Sequence, residues 1–137
     1  MTDKNMTEEP ITKHEKLFTV QEANSLIPKL RPLIKRVTTE STILLSLQEE
    51  IKKARSKSNY GGGSYQGSAY LNHLMALTNA VNEIEKIGVL VKDYRTGLCD
   101  FPHLKDGRII YLCWKMDENQ VKYWHEVDAG FAGRQPL

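Results

Sequence analysis

The sequence predicts an α+β domain: a long kinked helix and a second helix form an antiparallel hairpin, followed by a small antiparallel three-stranded sheet. Three observations carry this. Apolar residues recur at spacings of three and four in two separate runs, a glycine-rich stretch divides those runs, and beyond Gly88 branched and aromatic residues alternate instead. A chain of 137 residues has room for one such domain, expected over residues 18–137, with a flexible N-terminal arm over 1–17.

The first helix is expected to start at Thr19, because Glu22 three positions later completes a capping box and Phe18 can staple onto Ala23. Pro28 and Pro32 each remove a backbone donor and crowd the preceding turn, which predicts a kink or a restart. Ile27, Leu30, Ile34, Val37, Ser41, Leu44, Gln48 and Ile51 then form a seam that runs to about Arg55. The polar face of this helix is basic, with Lys29, Arg31, Lys35, Arg36, Lys52, Lys53, Arg55 and Lys57 outweighing Glu40, Glu49 and Glu50.

Residues 56–68 hold four of the nine glycines and are expected to be a flexible loop. Leu71, Leu74, Leu77, Val81, Ile84 and Ile87 restore helical spacing over residues 68–87, and Gly88 is placed for a left-handed cap. The hairpin thus covers 19–87, and its second helix is too short to cover the Pro-rich start of the first. The C-terminal region, a second subunit or both must cover it, and a homodimer through this seam is the expectation. Three strands follow in the β-rich part, 88–137, at 89–94, 108–114 and 121–127, with turns at Arg95-Thr96-Gly97 and Lys105-Asp106-Gly107.

Nineteen Lys plus Arg against seventeen Asp plus Glu argue against a strongly basic nucleic-acid binder, so an adaptor that binds nucleic acid or an acidic partner through the basic first helix is a minor alternative. Acidic residues interrupt the N-terminus where an export signal needs an apolar run, and no stretch approaches the roughly 20 apolar residues of a membrane span. A cytoplasmic location without membrane association is expected. Cys99 and Cys113 lack the C-x-x-C spacing of metal ribbons or redox motifs and are read as reduced, buried small hydrophobes. Seven of the eleven aromatics fall from Tyr94 onward, so that end is where a site is sought.

Gly88-Val-Leu-Val-Lys-Asp, Thr96-Gly-Leu-Cys-Asp-Phe-Pro, Tyr111-Leu-Cys-Trp and the ending Trp124-His-Glu-Val-Asp-Ala-Gly-Phe-Ala-Gly-Arg-Gln-Pro-Leu resemble an uncharacterised prokaryotic family, domain of unknown function number twenty-two zero three. Phe18-Thr-Val-Gln-Glu-Ala-Asn-Ser-Leu-Ile-Pro fits the same family. The resemblance implies a shared fold and C-terminal feature, and no reaction.

The leading reading of the residues is a binding module in which Trp124, Phe131 and Arg134, with Asp100 and Asp128 orienting the arginine, recognise a protein or a small anionic ligand. The alternative is a metal-dependent, hydrolase-like enzyme. Its divalent ion would sit on His125, Glu126, Asp128 and His103, with Asp100 available to complete the site. Adjacent strand residues face opposite ways, so a buried, hydrogen-bonded structural His125 is the plainer reading of that residue. Pairing Lys115 with Gln120 would place His125 opposite Ile110. A Cys113/His125 nucleophilic pair requires a register that puts both on one face.

Overall fold

The computed structural model describes residues 16–57 and 63–137. Helices α1 (Val20–Lys57) and α2 (Gly63–Ile87) precede strands β1 (Leu90–Asp93), β2 (Leu98–Lys105), β3 (Arg108–Lys115), β4 (Tyr123–His125) and β5 (Gln135–Pro136). A 3-10 turn, Phe131–Gly133, lies between β4 and β5. The chain is therefore α+β, and its antiparallel sheet has five strands in sequential order rather than three.

The capping box forms as the sequence requires: Glu22 N–H donates to Thr19 Oγ1 at 3.0 Å and Thr19 N–H to Glu22 Oε1 at 2.9 Å. Phe18 and Ala23 both enter the core. α1 then continues unbroken through Pro28 and Pro32, so no restart occurs. Both prolines lie on the exposed side, where water can satisfy the carbonyls they leave without donors. α2 begins at Gly63, five residues before the expected start, and takes in Gly67. Pairing with α1 outweighs the cost of about 1 kcal/mol that glycine imposes on a helix. Residues 1–15 of the expected arm and 58–62 of the expected loop lie outside the described residues. α2 ends at Gly88, whose φ of 104° lets Val89 N–H reach back to Ile84 O.

β2 and the two-residue β5 are the strands that reading the sequence misses; β2 escapes because Asp100 and Pro102 look like loop residues. Pro102 is tolerated because β1 pairs with β2 only as far as Asp100. Beyond that point the Pro102 carbonyl accepts the Phe18 N–H at 2.7 Å, so no ladder bond is lost at its missing donor. The β3–β4 register also differs from a tight hairpin by one residue: His125 pairs with Tyr111, and not with Ile110. A slip of one residue turns every side chain of a strand to the other face, so His125 faces away from the helices.

One face of the sheet supplies Cys99, Phe101, Ile110, Leu112 and Trp114 to the core shared with Ile27, Leu30, Ile34, Val37, Ala80 and Ile84. The overhanging start of α1 is thereby covered within the chain. Arg31 donates to the carbonyls of Met116 and Glu118 and stacks on Trp114, while Val121 N–H donates to Asn24 Oδ1 at 2.7 Å. The uncovered seam that motivated a homodimer is closed by the sheet.

Candidate functional site

The opposite face of the sheet carries the polar chemistry. β2, β3 and β4 place Asp100, Cys113 and His125 on it, since Asp100 pairs with Cys113 and Tyr111 with His125. These are residues of alternating parity on three neighbouring strands, so their side chains converge. His125 Nε2 lies 3.0 Å from Asp100 Oδ1, and one ligand atom from each of Asp100, Cys113 and His125 lies within 4.8 Å of the others. Asp100 and His125 are the only buried polar residues among the described residues.

The hydrogen bonds fix the protons. His125 Nδ1 is 2.7 Å from the Glu126 carbonyl, which can only accept, so Nδ1 carries a hydrogen. The contact between Nε2 and the Asp100 carboxyl then needs one further proton between two atoms that would otherwise both be acceptors. Burial raises the Asp100 carboxyl above its ordinary value, and His125 opposes this. Burial, reinforced by Asp100, pushes the Cys113 thiol up to about 11. The Tyr111 ring meets His125 edge-on at 5.6 Å and closes the cluster on one side.

Cys113 and His125 do share a face, but both imidazole nitrogens are engaged elsewhere, with Glu126 O and Asp100. A nucleophilic pair needs the imidazole nitrogen aimed at a thiol of lowered pKa, and neither condition holds.

Next to this cluster, Arg134 is held on all sides. Its Nη2 lies 2.8 and 2.9 Å from the Glu118 carboxylate oxygens and 3.4 Å from the Cys113 carbonyl. The guanidinium stacks 4.1 Å from the Tyr123 ring centroid and 4.8 Å from that of Phe131. Burial opposes the charge, but Glu118 prevails and holds the guanidinium pKa above its ordinary value. Arg134 Nε is buried with no acceptor among the described residues. Phe131 remains 46% exposed on the outside of this stack.

Of the residues expected to form the ligand site, Phe131 and Arg134 meet. Asp100 belongs to His125 instead, Asp128 is exposed in the turn after β4, and Trp124 lies on the helix-facing side of the sheet against the core. The structure does not bring His125, Glu126, Asp128 and His103 together. His103 Nδ1 bonds to Phe18 O at 2.6 Å, and Glu126 pairs with Arg108 at 2.6 Å, which holds its carboxyl below the usual range. The reason is strand alternation: neighbours in sequence point to opposite faces. Glu118 and Tyr123, which position Arg134, are missed by reading the sequence. Glu118 gives no local signal, because its role depends on where the β3–β4 connection folds.

Away from the sheet, Lys29, Pro32, Leu33, Arg36, Glu83, Lys86 and Ile87 line a groove of about 590 Å³ between α1 and α2. No helix among the described residues is long and apolar enough to cross a membrane.

No curated protein and no solved structure matches the chain significantly. A family profile described as an uncharacterized conserved protein matches residues 16–137, which takes in both helices, all five strands and every residue of the two clusters above. The chain belongs to this family, DUF2203.

Proposed function

We propose that the domain acts by binding, and that its recognition surface is the C-terminal patch of Tyr123, Phe131 and Arg134. The observation that carries this is the arginine sandwich. A guanidinium locked between two rings and clamped by Glu118 has little conformational freedom left to lose, so a partner that covers it pays little ordering entropy. Arginine and aromatic residues dominate the energetic centres of protein interfaces. The same segment leaves Val127 at 50%, Phe131 at 46% and Leu137 at 55% exposure.

A protein partner suits this surface better than a free anion. Glu118 already answers the charge of Arg134, which leaves a free anion little to neutralise, while the exposed ring of Phe131 offers a protein apolar area to cover. The engagement of both nitrogens of His125 and the buried, protonated thiol of Cys113 favour binding over nucleophilic catalysis.

The test is quantitative affinity capture from the source cell, with wild type and the folded variants Phe131→Ser and Arg134→Gln compared by mass spectrometry, and calorimetry with inorganic phosphate and acetate beside it. The reading expects one partner held stoichiometrically by wild type and lost by both variants, with no heat from either anion. A captured set that neither variant alters would overturn it.

A further inference from the structure

We propose that Asp100, Cys113 and His125 form a binding site for one divalent transition ion of the zinc class. This stands independently of the recognition surface. The donors are a carboxylate oxygen, a thiolate sulfur and an imidazole nitrogen, a set that suits zinc and its neighbours and disfavours calcium or magnesium, which take oxygen ligands. Zinc bonds of about 2.0–2.3 Å put tetrahedral ligand atoms roughly 3.3–3.8 Å apart. The three ligand atoms lie within 4.8 Å of one another, and Nε2 and Oδ1 are at 3.0 Å, so small rotations of the side chains reach that geometry.

Two further features fit an ion. Histidine ligands characteristically donate the hydrogen of their second nitrogen to a carboxylate or backbone carbonyl, which fixes the tautomer. The bond from His125 Nδ1 to Glu126 O does this and leaves Nε2 aimed into the cluster. The ligands also stand on β2, β3 and β4, three hydrogen-bonded strands, so the backbone holds them with little freedom.

Charge balance permits the exchange in a buried place. Without an ion, the cluster holds the Cys113 thiol proton and the proton shared by Asp100 and His125. A divalent ion releases both, bonding to thiolate, carboxylate and neutral imidazole, so the net charge of the cluster does not change. Burying an uncompensated charge is the cost that this one-for-two exchange avoids. Three protein ligands leave one of the four usual zinc positions to a further ligand.

The test uses the tag-free full chain, stripped of metal under reducing conditions and titrated with Co²⁺ or Zn²⁺. One cobalt per chain is expected, with a thiolate-to-cobalt charge-transfer band. Two protons should be released per zinc, and zinc should raise the melting temperature. Cys113→Ala should abolish the band and the zinc-dependent stabilisation, while Cys99→Ala, on the opposite face of the sheet, should keep both. No band, a band that survives Cys113→Ala, or a melting temperature indifferent to zinc overturns the proposal. Should Cys113→Ala fail to fold, Cys99→Ala decides, since Cys113 is then the one thiol of the chain: the thiolate-to-cobalt band must persist there at one cobalt per chain, and its absence from the folded variant overturns the site.

Discussion

His125 on β4 reaches over β3 to place Nε2 3.0 Å from Asp100 Oδ1 on β2, with both side chains almost wholly buried. This pair ties together strands that are not neighbours, on the sheet face that the helices leave uncovered. A buried ionic pair is costly to break because the surviving partner stays desolvated.

Replacing His125 by Ala is therefore expected to cost about 3–5 kcal/mol at pH 8. The sign of its pH dependence follows from Asp100. A carboxyl whose folded pKa is raised by burial contributes stability when protonated and loses it as pH rises through the folded value. Without His125 to oppose the burial, the carboxyl is raised further. The penalty in His125→Ala should thus be smaller at pH 5 than at pH 8, and Asp100→Asn should remove most of that difference. Urea denaturation of metal-free protein across this range checks it, and a penalty that grows on acidification contradicts the assignment.

The Cys113 thiol gives a second pH window. Burial lifts it from an ordinary 9.0 to about 11, and burial raises Cys99 in the same direction. Groups with raised folded values keep their contribution below the unfolded value and lose it as pH climbs. Metal-free protein should lose stability between pH 9 and 11, and Cys113→Ala should lose less. At pH 8 both thiols should react with a chromogenic disulfide only as fast as the protein unfolds. A rapid native-state reaction of either thiol would contradict their burial.

Gly97 and Gly107 make a controlled comparison. Both have positive φ, 73° and 79°, where a side chain costs about 1–2 kcal/mol. A Cβ at Gly97 would also meet Ile34 Cγ2 at 2.7 Å, whereas one at Gly107 meets nothing within 4 Å. Gly97→Ala should destabilise by about 3 kcal/mol or more, since overpacking adds ~1–3 kcal/mol, and Gly107→Ala by strain alone. Equal losses in thermal denaturation would show that the turn after β1 does not pack on α1 as described.

The long-period features were legible from the sequence. Thr19 and Glu22 announce the helix start, Gly88 its partner's end, and the seam from Ile27 to Leu44 its buried face, because each depends on residues within one or two turns. The concentration of aromatics and both cysteines after Tyr94 located the polar chemistry to the right third of the chain.

What tertiary structure alone decided was which of those residues meet. β2 is a strand because it pairs with β3 along its whole length, and its Pro102 carbonyl is met by the Phe18 N–H from more than eighty residues away, a contact no local pattern encodes. The irregular β3–β4 connection moves the register by one residue. That single step takes His125 from the face expected to meet Ile110 to the face that holds Asp100 and Cys113. Residue type determined by itself that a thiol, a carboxylate and an imidazole were available. Strand parity, set by pairing across the sheet, determined that they converge, and the fold of the β3–β4 connection determined that Arg134 answers to Glu118 instead of Asp100 or Asp128.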